Sequence, residues 1–128
     1  MSKYVHPDVL DKGLEEIVNN CDLMVLIDSY TPGDSYAVVE SRSVCDVVMT
    51  GGDFTLQTFE TDEREVEVAA KSGTAKATSP LTPDLHIALM DSIGSRVLCV
   101  ANETSDQPVS ISNPVDFPSW IVRAKQPV

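Results

Sequence analysis

Aromatic side chains are scarce in this sequence. One Trp, three Tyr and three Phe among 128 residues make 5% of the chain. Proteins that read single-stranded nucleic acid stack bases on aromatics inside a basic groove, and neither ingredient is present. Cations are scarce as well: nine Lys and Arg stand against twenty Asp and Glu, a net charge of -11. The cations do not cluster, since Lys12, Arg42, Arg64, Lys71, Lys76, Arg96, Arg123 and Lys125 are spread along the chain. Duplex DNA and anionic lipid both draw proteins through Lys and Arg, so neither a nucleic-acid nor a membrane partner is expected. The acidity suits solubility at high concentration first, and a basic partner surface second.

Long apolar runs are missing too. The longest, Leu23 to Ile27, is far too short to cross a membrane. The stretch from Met1 to Asp8 shows no apolar core of a secretory signal. Three cysteines, Cys21, Cys45 and Cys99, form no C-x-x-C pair. Neither His6 nor His86 stands at a metal-ligand spacing from them. Each lies among apolar neighbours, where a free thiol behaves as a small hydrophobe. Reduced thiols in a cytosol are the expectation, with no cofactor and no metal.

Patterned catalytic motifs are absent: no glycine-rich phosphate loop, no H-E-x-x-H, no G-x-S-x-G and no EF-hand loop. Gly51-Gly52-Asp53 is short and reads as a turn. A Cys-His-Asp set could be assembled from Cys45 or Cys99, His86, and Asp84 or Asp91. Cys99 sits inside an apolar run, however, which raises a thiol pKa and quiets it. Asp62, Glu63, Glu65 and Glu67 could supply an acid/base pair or hold a cation, but Thr61 to Glu65 lacks the glycine of a Ca²⁺ loop. That stretch reads as a solvated tip running into a charged edge strand. No catalytic residue is expected.

What is present is an ordinary globular composition, 42% hydrophobic and 23% charged, in a length that fits one domain over residues 1–128. Pro7 suits a first helical position, and Leu10, Leu14, Ile17 and Cys21 recur at helical spacing, predicting a helix over about 7–20. Everything after Asp22 reads as strand and turn. Thr31-Pro32-Gly33-Asp34 has type II turn chemistry. Val44 to Met49, and the stretch holding Phe54 and Leu56, read as strands. Arg64 to Thr78 alternates with period two around Ser72-Gly73 and predicts a hairpin. Leu85 to Met90 and Val97 to Val100 predict a second hairpin, apolar on both faces and therefore central. Val109 and Ile111 start a strand that Asn113-Pro114 breaks, and Trp120 to Val122 carry the last. One helix followed by seven to nine short strands predicts a mainly β fold: an antiparallel β-sandwich or jelly roll, with a small Greek-key barrel as the alternative. The tail over about 117–128, rich in proline, is expected to be extended and poor at internal pairing.

Several segments resemble a group of small structural proteins of tailed bacteriophages. They are Tyr4 to Asp11, Gly33 to Tyr36, Gly52 to Leu56, Ser95 to Leu98, Phe117 to Trp120 and the closing Gln126-Pro127-Val128. The acidic stretch from Asp62 to Glu67 and the three cysteines depart from that group. The resemblance implies a virion component assembled in the host cytoplasm, above all a capsid decoration (cement) protein on the capsid exterior. It implies the major capsid protein as partner, and self-association as a dimer or trimer. A tail or head-tail connector component is the alternative within virions. A jelly-roll carbohydrate-binding module or hydrolase is the alternative outside them. Loops and termini carry contacts when strands are committed to a core. The expected partner-binding residues are therefore Ser2, Lys3, Tyr4, Val5 and His6 at one end, and Phe117, Trp120, Arg123 and Lys125 at the other.

Overall fold

The computed structural model describes residues 7–60, 63–102 and 106–125. The first helix, α1, spans Pro7–Asn20. Its inward stripe is as the spacing predicts: Leu14, Ile17 and Cys21 are all buried, while the side chain of Leu10 lies outside the described residues. The helix stops at Asn20, whose side-chain Nδ2 folds back to donate to the Glu16 carbonyl at 3.2 Å and to the Glu16 carboxylate at 3.1 Å.

Nine strands follow among the described residues: β1 Leu23–Ile27, β2 Ser43–Val48, β3 Phe54–Glu60, β4 Glu63–Val68, β5 Lys71–Thr74, β6 His86–Asp91, β7 Arg96–Asn102, β8 Pro114–Phe117 and β9 Trp120–Lys125. They form three sheets, ordered β2-β1-β6-β7, β3-β4-β9 and β5-β8, and every described pairing is antiparallel. The fold is thus mainly β with an N-terminal helix, in open sheets.

The four-stranded sheet is apolar on both sides, for a visible reason. Met24 and Leu26 of β1 and Ile87 and Leu89 of β6 point into a core shared with α1 and the other two sheets. Val25, Ile27, Ala88 and Met90 point the other way, into a second cluster completed by Val39. A strand buried on both faces loses alternation and reads as a continuous apolar run.

Val39 belongs to a second helix, α2, Tyr36–Ser41. The strand-and-turn expectation for this segment is corrected here. Ser35 caps α2, its Oγ accepting the Val38 amide at 3.3 Å. Six residues are too few to print a helical period, and two of them are valines. The preceding turn is as expected: Gly33 takes φ 93°, and the Asp34 amide donates to the Thr31 carbonyl at 3.0 Å.

The Arg64–Thr78 hairpin does not form. β4 pairs with β3 on one side and β9 on the other, and β5 pairs with β8. Nor is β4 an edge strand. Gly73 is no turn glycine but the point where β5 crosses close to β2. A Cβ there would lie 2.9 Å from Val47 Cγ1 and 3.0 Å from Cys45 Sγ. Glycine inside a strand often marks such a close approach. Another correction concerns Pro114. It opens β8 rather than breaking a strand begun at Val109, a first-residue position that costs proline no ladder bond. The second hairpin, β6 with β7, is as expected, but only β6 is central; β7 ends the sheet.

The C-terminal segment is extended as expected, yet it is paired. β9 lies along β4 from Trp120 opposite Val68 to Lys125 opposite Glu63. Pro118 and Ser119 only mark the step from β8 in one sheet to β9 in another.

Candidate functional site

The Cys-His-Asp set is taken apart by the pleat of the four-stranded sheet. Cys45 lies opposite Leu26 and Cys99 opposite Leu89, both facing the main core. His86 lies opposite Ile27 and faces the second cluster. Neighbours along a strand point to opposite sides, so the imidazole and these thiols are separated by the sheet itself. His86 instead packs on Tyr30, with ring centroids 5.7 Å apart, and its Nδ1 meets the Asp84 carbonyl at 2.9 Å. Burial raises the pKa of Cys45 and Cys99 and lifts Cys21 to about 11. These groups stay as thiols at neutral pH and serve as packing.

The acidic stretch is likewise dispersed. Alternation along β4 turns Val66 and Val68 to the core and Glu65 and Glu67 to the other face. Glu65 is nonetheless only 4% exposed, because its neighbours across the ladder close over it. Gln57 Nε2 donates to Glu65 Oε1 at 2.8 Å from β3, and Arg123 Nε donates to Oε2 at 3.0 Å from β9. The Glu65 carboxylate thus cross-links three strands. Asp62 lies outside the described residues. No group of three His, Cys, Asp or Glu able to hold a metal occurs among the described residues.

A polar knot sits where α1 runs into β1. Asp22 accepts the Ser92 amide at 2.8 Å and also the Ser92 hydroxyl. Next to it, Asp91 accepts the Gly94 amide at 3.0 Å and is clamped by Arg96 Nε at 3.1 Å and Nη2 at 3.0 Å. The Gly94 amide and then the Arg96 guanidinium hold the Asp91 carboxyl below its ordinary pKa. A cleft of about 370 Å³ runs past these residues, lined also by Cys21, Thr50 and Gly51. The carboxylates in it are bonded to the β6–β7 turn and to Arg96, so they shape that turn.

The expected contact residues do not gather into one patch. Ser2, Lys3, Tyr4, Val5 and His6 lie outside the described residues. Phe117 is 2% exposed and belongs to the core. Trp120 is half-buried against the same core, its Nε1 buried without a hydrogen-bond partner among the described residues. Arg123 stands on the outer face of the three-stranded sheet beside Glu65. The backbone of Lys125 closes the ladder of β9, and its side chain is outside the described residues.

What sequence reading missed is that β7 is an edge strand. Apolar character on both faces pointed to a central strand, and the sequence carries no mark of which partner a strand has on each side. The exposed large apolar side chains among the described residues lie elsewhere: Val48, Leu81, Ile93 and Ile111 in loops and at a strand end, and Ile121 on β9.

Comparison with known proteins places the chain beside none of them: no family model, no curated protein and no solved structure matches. Among the described residues no helix is long and apolar enough to cross a membrane.

Proposed function

We propose that this chain is a structural phage protein that binds the capsid exterior as a decoration, or cement, protein, with the major capsid protein and further copies of itself as partners. The observation that carries this reading is how the buried polar groups are spent. Ser43 is bonded to Asp46 within its own strand, and Glu65, Ser79 and Asp91 are bonded to neighbouring strands, loops and turns. None of these four is left as a reactive group, and the cysteines are packing. Such a molecule acts through its outer surface, by spanning neighbouring subunits with a stiff scaffold.

The resemblance of the segments around Tyr4 to Asp11 and Phe117 to Trp120 supports the same reading. The acidity helps a protein that must stay soluble at high copy number. The contact residues it would use are Ser2 to His6 together with Arg123 and Lys125; Phe117 belongs to the core. The fold that goes with this role is a β-sandwich or jelly roll. In support, the four-stranded sheet contributes one side of a core to which the other two sheets and α1 contribute the rest.

The test is to count this chain in purified virions by quantitative mass spectrometry and to measure its binding to shells stripped of it. A decoration protein is present on the order of hundreds of copies, as shell symmetry requires, and rebinds bare shells. A copy number set by a single ring would place it in the tail or connector. Its absence from virions would overturn the reading.

A further inference from the structure

The four-stranded sheet ends on β7, a seven-residue strand whose one edge-blunting device is a bulge near its start, at Leu98. Between Arg96 and Asn102 it reads Val97, Leu98, Cys99, Val100, Ala101, with no charge and no proline. All five are half-buried. One side of the strand is taken by β6; on the other, no backbone group is bonded by any described residue. The far edge of the same sheet is treated differently. There β5 lies close to β2 at Gly73, and the Lys76 amide donates to the Val44 carbonyl at 2.8 Å. At the edges of the three-stranded sheet, β3 alternates polar residues with apolar ones, and β9 carries Arg123 and Lys125 and lies against α1.

Both apolar layers of the four-stranded sheet run out at β7. Leu98 and Cys99 continue the main core, and Val97 and Val100 continue the layer beneath α2. We propose that β7 is the self-association edge, where two copies pair antiparallel about a two-fold axis and join their sheets into one. Leu98 bulges from the β6 ladder between Leu89 and Met90, so the regular stretch from Cys99 to Asn102 carries the pairing. The occupant is a second copy because the strand is self-complementary. Antiparallel pairing sets apolar residues against apolar ones and holds the two Arg96 guanidinium groups at opposite ends. Two chains of charge -11 repel wherever carboxylates face each other; β7 is the edge strand that is apolar at every interior position. Main-chain bonds along such an edge give affinity without a pocket.

This deepens the reading above by naming the surface through which copies meet, and the experiment separates the two. Sedimentation equilibrium of the full chain from about 1 to about 100 μM should show a monomer–dimer equilibrium. Val100→Lys should weaken the dimer at least about tenfold, while Val100→Thr keeps it, with melting curves checking that each variant folds. Because Val100→Lys could instead disturb folding, hydrogen exchange on the unaltered chain supplies the second measure. Protection of residues 96–102 should rise with protein concentration, and that of residues 54–60 should not. A monomer throughout, or a dimer whose exchange at 96–102 ignores concentration, overturns the proposal. So does protection that appears only when another protein is added. Shell binding measured in parallel tells the failures apart: a monomer that binds shells removes the β7 pairing alone, and a dimer that binds none removes the decoration role alone.

Discussion

At the scale of the residue, two positions carry more than their size suggests. Gly73 is where two strands nearly touch, and an added methyl would press on Val47 Cγ1 and Cys45 Sγ, both side chains buried. Gly73→Ala should therefore destabilise the protein by roughly 1–3 kcal/mol, the usual cost of overpacking. Thermal unfolding against the parent chain measures it, and an unchanged or raised melting temperature would contradict the close approach. Asp91 is the second. Its folded pKa lies below the ordinary carboxylate value, first through the Gly94 amide and then through Arg96. The unfolded chain thus binds a proton at higher pH than the folded chain does. The contribution of Asp91 is present above the ordinary carboxylate pKa and is lost as pH falls through the folded value. Asp91→Asn should flatten the acid limb of the stability profile, below about pH 4, as urea unfolding across that range would register. An acid limb of unchanged slope would count against the Arg96 clamp.

At the scale of the element, α1 was legible in the sequence and α2 was not. The difference is length. Fourteen residues give α1 several turns in which to repeat its apolar stripe. Six residues in α2 give it little more than one turn, held by the Ser35 cap and by Val39 packed beneath the sheet. For α1 the expectation is that Leu14→Ala costs roughly 2–5 kcal/mol, since the side chain is 4% exposed within the main core. Chemical denaturation should show it as a lower midpoint with an unchanged slope. The strands were legible as apolar runs, but their partners were not. β4 and β5 follow one another with two residues between, and alternation made them look like one hairpin. What separates them is the pull of β9 on β4 and of β8 on β5, contacts made over more than forty residues of chain. Local pattern carries no term for that competition.

At the scale of the whole molecule, the three sheets and α1 share one core while α2 caps a second, smaller one. This arrangement decides which residues remain available to a partner. Phe117 looked like a tail anchor and is a core residue. Glu65 looked like a solvated charge and is buried between Gln57 and Arg123. β7 looked central and is an edge strand, its outer side paired by no described residue. If copies join there, a single sheet spans two chains.

The sequence by itself determined the class of the fold, since the helical stripe of α1, the turn at Pro32-Gly33 and the apolar runs of β1, β6 and β7 are local properties set by dihedral preference and hydrophobic period. It also marked Cys99 as packing, because that thiol stands inside the apolar run from Val97 to Val100; the burial of Cys21 and Cys45, each beside an Asp, is a property of the folded core. Only the tertiary structure decided strand order, and with it which carboxylate is buried, which glycine marks a crossing and which apolar strand is left at an edge. Those outcomes depend on pairings between distant segments, where one strand competes with another for the same backbone donors and acceptors. A periodicity that is the same for a central strand and an edge strand cannot settle that competition.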